Sequence, residues 1–487
     1  MPFNNSPLIS NPLHMYWEEG LQPSAGEVIQ RFTTISKNIN TLYLDLNSFQ
    51  HLSGEALVEI FKAIPAGIIS LHLSGQFPET LADEIIAQVC QAISKNIVSL
   101  HVSTISRLVS VLPQNITTLY LSIGALENKT SKVLIPLIQR IPAHVTTLSL
   151  IGGGLGRKST EEIIAILQAF PASITSLNLT GNGLGIKASD DVVKIIGALR
   201  NGLLSLNLNR NHLWLKSTND LIKILNALPL SLISVSLSDE RLKLKHKREG
   251  LSLILRALPS SVTLLDLSEI DLTNYKASDL VALFKGIPEH VTSLRLGKTN
   301  VGRFAFKILI EILAAIPASV KTLDLEDNAL FLYKTPENTS AILSAIPPHI
   351  TSLSLRRNRL YILTVEELIK ILAAIPVSIK LVELSDNDLF TGRTSAEKDQ
   401  ILKAFGENRE RFILTGNGES DLARALGSMP AIARKYNLPD DIASHILFFL
   451  GTDSPYKTTH RFFKFQLEKT KEVVNSNHNK AESPKSL

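Results

Sequence analysis

The chain has 487 residues, of which 44% are apolar and 20% charged, and its formal net charge is +5. So small an excess over so long a chain favours solubility and gives no argument for nucleic acid as a partner. The single cysteine, Cys90, excludes an internal disulfide, and no run of about 18 apolar residues reads as a membrane span.

The first thirty residues lack a basic segment leading into an apolar run, so no signal peptide is expected. Residues 1–36 read as an N-terminal capping segment. From Leu42 a phrase of the form LxLxx(N)xL begins, and it recurs in fourteen segments. Its first apolar place falls at Leu42, Leu71, Leu100, Leu119, Leu148, Leu177, Leu206, Val235, Leu265, Leu294, Leu323, Leu353, Val382 and Phe412. Each step is 29 or 30 residues except that from Leu100 to Leu119, which is 19. In the copy Ile174, Leu177, Leu179, Asn182, Leu184 the leading apolar residues alternate as in a half-buried strand. The asparagine can donate its amide to bend carbonyls that would otherwise be buried and unpaired. Asn47, Asn182, Asn211, Asn328, Asn358, Asn387 and Asn417 hold that place, which is Gln76, Gly124, Gly153, Glu240 or Thr299 in other copies.

Between phrases the apolar period changes from two to 3.6. Val365, Leu368, Ile369, Leu372 and Ile375 predict a helix, started by the capping box Thr364 and Glu367. Ser159 with Glu162 and Thr394 with Glu397 repeat that start signal. Proline stands six residues before the first strand position in ten of the fourteen units, as at Pro171 and Pro376, and ends each helix by removing a donor and restricting its predecessor. The short unit before Leu119 has room for about two helical turns.

A fixed period with this wording resembles the leucine-rich repeat, in which each unit is a short strand and a returning helix. The expected fold is α/β, a leucine-rich-repeat solenoid (horseshoe) with parallel strands on the concave face, helices on the convex face and a small α-helical C-terminal cap. Residues 37–418 form the solenoid, because each repeat needs only its neighbours to bury its core.

Catalytic signatures are thin. There is no HExxH, Cys/His metal spacing, GxSxG or P-loop, so no enzyme, catalytic residue or cofactor is expected. Cys90 lies in a helix pattern and reads as a buried structural thiol. Gly152, Gly153, Gly154 and Gly156 occupy the bend after Leu150 and read as turn chemistry rather than a phosphate cradle.

Function then falls to the concave face, where residues flanking the strand leucines project. Tyr43, His72, His101, Tyr120, Asn178, Asn207, Asp266, Arg295, Asp324, Glu326, Arg356 and Glu383 are the candidate partner-binding residues, set among serines and threonines. Tyrosine and histidine supply contact area with few rotors to freeze, and arginine and aspartate supply directional pairing. A solvated strand face is the alternative for any one of them. His72 and His101 stand on adjacent strands, but no third metal ligand is evident. The basic run Arg241, Lys243, Lys245, His246, Lys247, Arg248 reads either as a solvated loop or as a segment that docks on an acidic surface, of a protein or of an anionic membrane.

After Asn417 the beat stops. Residues 419–473 read as helical, either a cap on the last repeat or a small docking domain. LPDDIASHILFFL resembles the opening of an F-box, with Leu438, Pro439, Ile442, Ile446, Leu447 and Leu450 in matching places; that resemblance implies an adaptor for a ubiquitin-ligase scaffold. Residues 474–487 are polar and read as a flexible tail.

The recurring IPASVKTLDLEDNAL, with FPASITSLNLTGNGL and IPPHITSLSLRRNRL, resembles the leucine-rich-repeat effectors of Legionella-type intracellular bacteria. The resemblance spans roughly residues 39–417. It implies type IV secretion into the host cell, with the polar C-terminus as the address, and binding of a host protein; the chain is then expected to act in the host cytoplasm as a monomeric, non-enzymatic scaffold.

Overall fold

A computed structural model of the chain describes residues 13–15, 22–35 and 39–414 apart from 79, 103–106, 122–129, 153, 239–247 and 333, together with residue 417. The basic run as far as Lys247, the segment 419–473 expected to be helical with its F-box-like string, and the polar tail lie outside the described residues. The chain divides into two units, which meet in sequence between Ser261 and Val262.

The first unit carries nine parallel strands in sequence order among the described residues: β1 (Leu13–Met15), β2 (Thr41–Asp45), β3 (Ser70–Ser74), β4 (Ser99–Val102), β5 (Thr118–Leu121), β6 (Thr147–Ser149), β7 (Ser176–Asn178), β8 (Ser205–Asn207) and β9 (Ser234–Ser236). The second carries β10 (Leu264–Asp266), β11 (Ser293–Arg295), β12 (Thr322–Asp324), β13 (Ser352–Ser354), β14 (Leu381–Glu383) and β15 (Phe412–Ile413). Register is constant within each unit. Leu42 faces Leu71, Leu71 faces Leu100, and Leu294 faces Leu323.

Helices return the chain behind the strands, and the core lies between the two layers. Leu177, Leu179 and Leu184 are buried together with Ile163, Ile166 and Leu167 of the helix Thr160–Gln168. The expected capping boxes form at Ser159, Thr364 and Thr394, and another forms at Ser24 with Glu27. Each satisfies two orphan donors of a helix start. In the short unit the described part of the return is a 3₁₀ turn, Arg107–Val111, as 19 residues leave little length for a full helix.

The asparagine place does what the residue type suggests, six times. Asn182 Nδ2 donates to the carbonyls of Leu150 (2.7 Å) and Leu179 (2.9 Å). Asn387 Nδ2 donates likewise to Leu355 and Leu384, both at 3.0 Å. The side-chain oxygens face the other way: Asn358 N–H donates to Asn387 Oδ1 (2.7 Å), and Asn387 N–H to Asn417 Oδ1 (2.8 Å). Thr299 substitutes with its hydroxyl, which donates to Leu296 O at 2.7 Å, while Asn328 Oδ1 accepts its N–H at 2.8 Å.

Where they are described, both neighbours of these residues are left-handed. Arg210 and His212 flank Asn211, Arg357 and Arg359 flank Asn358, and Asp386 and Asp388 flank Asn387, all with φ between 54° and 65°. For residues with a Cβ this backbone costs roughly 1–2 kcal/mol each, so the buried amide bonds must hold it. At Gly156 the reason for glycine is steric: an added Cβ would stand 2.5 Å from the Gly183 carbonyl oxygen of the next repeat.

Asn47 is the exception and corrects the expectation. It is exposed, in the 3₁₀ turn Leu46–Phe49, with its own N–H accepted by Asp45 Oδ1 at 3.1 Å. Asn387→Ala is therefore expected to lower stability by about 3 kcal/mol, since it strands two buried carbonyls and a buried N–H. Asn47→Ala should stay within about 0.5 kcal/mol; urea denaturation of the two variants checks the contrast.

Candidate functional site: the outer strand faces

Residues between the two strand leucines point away from the helices, and register brings them side by side. In the first unit Tyr43 pairs with His72, His72 with His101, and His101 with Tyr120. Their rings form a continuous pile with centroid separations of 3.9, 3.4 and 3.7 Å, and the last two contacts are nearly parallel at 15° and 5°. All four are half-buried. Burial pushes the Tyr120 phenol above its ordinary value. Ser70 Oγ lies 3.4 Å from His72 Nε2.

Stacking argues against a metal at the two histidines. Lone pairs lie in the ring planes, and parallel planes do not converge on a common point. No group of three His, Cys, Asp or Glu among the described residues could hold an ion.

Asn178 and Asn207 are half-buried on the same unit's strand face, but their side-chain oxygens are occupied. Asn178 Oδ1 accepts from Thr180 N–H at 2.9 Å and from its hydroxyl at 2.6 Å. Asn207 Oδ1 accepts from Asn209 N–H at 2.9 Å and from the Thr180 hydroxyl at 2.8 Å. They shape the strand exits by local side-chain-to-backbone bonding.

The second unit's face is a charge network. Arg295 reaches Asp266 on one side (3.3 Å) and Asp324 on the other (3.5 Å). Arg356 pairs with Glu326 at 3.2 Å and with Asp386, and Arg357 Nε lies 3.3 Å from Asp386. Glu383 stands beside Ser354 in register, with the Ser354 hydroxyl as its nearest donor, and both its carboxyl oxygens are buried without a bonded cation among the described residues. Asp324, Arg356 and Glu383 are at most 1% exposed, whereas the Asp386 side chain is 28% exposed and forms part of the rim.

Burial dominates the titration of this network. It pushes Asp324 up to about 7, against the attraction of Arg295 and with the repulsion of Glu326. It pushes Glu383 up to about 8, where Arg356 opposes and Asp324 and Glu326 assist. Burial works against the charge on Arg295 and Arg356 as well, yet their carboxylate neighbours hold both above the ordinary value.

All twelve strand-face residues named from the sequence are described. Register collects Tyr43, His72, His101 and Tyr120 into one pile, and the six charged ones from Asp266 to Glu383 belong to one network. Asp386 was missed because it sits in the bend beside Asn387; the left-handed turn brings it back over the strand face. Cys90 is fully buried in the helix Asp83–Ala92, and burial pushes its thiol up to about 12, a state without nucleophilic character. In the glycine bend the Gly152 and Gly156 N–H groups are already bonded to Thr180 and Asn182 carbonyls, which leaves neither for a phosphate.

The crystal structure of LegL7, a leucine-rich-repeat-containing protein from Legionella pneumophila, superposes with a TM-score of 0.53. The match is 26% identical and covers 75% of this chain and 98% of that one. The fold is a leucine-rich-repeat solenoid. A yeast structure, that of the Rad7 and Elc1 complex, gives a TM-score of 0.39 at 13% identity, over 81% of this chain and 88% of that one. No family model and no curated protein matches the solenoid's sequence. None of its described helices is long and apolar enough to cross a membrane.

A carboxyl whose folded value lies above its unfolded one contributes stability that is complete below the unfolded value and is lost as pH rises through the folded one. For Glu383 that window runs from 4.5 to about 8, and for Asp324 from 3.8 to about 7. Stability is expected to fall from pH 4.5 to pH 8, and Glu383→Gln to flatten the slope; thermal melts across the range check this.

Proposed function

We propose that the chain is a non-enzymatic protein-binding scaffold, a secreted bacterial effector that binds a host protein through the outer strand faces of its repeats. The single observation that carries the reading is the half-buried pile of Tyr43, His72, His101 and Tyr120. Rings locked face to face by register present a rigid edge of phenol and imidazole groups and lose little entropy when a partner covers them. Hot spots at protein interfaces are enriched in such pre-ordered aromatic groups.

The effector part of the reading is supported by the likeness to the Legionella pneumophila protein over most of that protein's length. Type IV delivery and a host-cytoplasm location are part of this proposal, with that likeness as their support.

Affinity capture from host-cell lysate with the full chain tests the function. A specific partner should be retained by the parent and lost, by about tenfold or more, when Tyr43, His72 and Tyr120 are all changed to alanine, a scale ordinary for removing a few hot-spot residues. Retention of the same partners by the triple variant with an unchanged melting profile would contradict the reading.

A further inference from the structure

Among the described residues, the charge network of the second unit does not balance. Asp266, Asp324, Glu326, Glu383 and Asp386 face Arg295, Arg356 and Arg357. Five carboxyls thus meet three guanidinium groups, and Asp388 adds another carboxyl beside Asp386. The nearby Lys298 and Glu269 pair with each other at 3.8 Å and do not change the excess. The shortfall is sharpest at Arg356, which lies against Glu326, Asp386 and Glu383 together. It bonds the first two, and among the described residues Glu383 is left buried beside the Ser354 hydroxyl with no cation bonded to it. A buried carboxylate without a partner is costly enough that proteins normally pair it or neutralise it.

We propose that this acid-rich strand face is a receptor for a cationic side chain, a lysine or an arginine carried by the protein partner. The cation docks at the accessible carboxyl of Asp386 and releases Arg356 to turn toward Glu383. The inference rests on the strand face being a partner-binding surface and specifies what part of it reads.

Protons fill the gap until that cation arrives. Burial and the crowding of carboxyls hold Asp324 near 7 and Glu383 near 8, so both are largely protonated in mildly acidic solution. An incoming cation favours their charged forms and expels a proton, which makes binding tighter as pH rises. The chain's net charge of +5 works against indiscriminate uptake of a basic ligand, so such binding would need a local acidic site.

The test uses the full chain and fluorescein-labelled hexa-arginine, with hexa-glutamate as control, at about pH 6.5 and pH 8.5. Affinity is expected to rise by about tenfold between them, within the limit of tenfold per pH unit for each proton released. Calorimetry in two buffers of different ionisation enthalpy should show the proton leaving. Glu383→Gln should remove most of that pH dependence, a change that a merely structural role would not produce. Should that variant fail to fold, Asp386→Asn at the rim should weaken binding at both pH values with an unchanged melting profile. Equal affinity at the two pH values, wild-type pH dependence in a folded Glu383→Gln, or equal binding of hexa-glutamate would overturn the proposal. Peptide binding that follows the expected pattern stands even if no partner is captured through the aromatic pile, so the two readings fail separately.

Discussion

The column of buried asparagines is the constraint on which the bends from β7 onward, and the charge network set above them, depend. Every repeat must turn the chain out of a strand and into its return, and that bend leaves carbonyls inside the protein where water cannot reach them. One side-chain amide closes the bend of its own repeat, reaches the carbonyl of the repeat before, and lends its oxygen to that neighbour's N–H. The left-handed residues on either side would be unfavourable alone. They persist because the surrounding bonds over-determine them. Constant register in the repeats that carry the column follows, and there register sets arginine against carboxylate; the rings of β2–β5 lie in repeats without a buried asparagine and are aligned by the strand pairing itself.

Much of this was legible from residue order. Strand positions follow from the repeated leucines, helix starts from serine or threonine followed three places later by glutamate, and helix stops from proline. The strand Leu13–Met15 was not recognised and was read as part of a cap, although Leu13 precedes Leu42 by the same 29 residues and pairs with it. The surrounding Pro- and Asn-rich wording hid the period. Asn47 shows the opposite failure: the right letter in the right place, exposed because its strand runs on into a 3₁₀ turn.

The strand face was legible as a set of residues but not as a set of states. Sequence alone cannot say that Asn178 and Asn207 spend their side chains on their own strand exits while Tyr43 and His72 keep an edge outward. Nor could it single out Asp386, because a bend residue reaches a strand face only through a backbone conformation that its own identity does not announce. Burial, absent from any reading of letters, separates Asp386 on the rim from Glu383 in the floor. It is also what turns a row of charges into a site that holds protons near neutral pH.

Native-state hydrogen exchange at the bends tests the central claim most directly. If the asparagine column holds the repeats, the backbone amides of Asn328, Asn358 and Asn387, each bonded to the next asparagine's side-chain oxygen, exchange only when their unit unfolds, as slowly as amides of the central strands. Exchange at those amides orders of magnitude faster than in the strands they connect, as in an ordinary surface loop, would contradict the account.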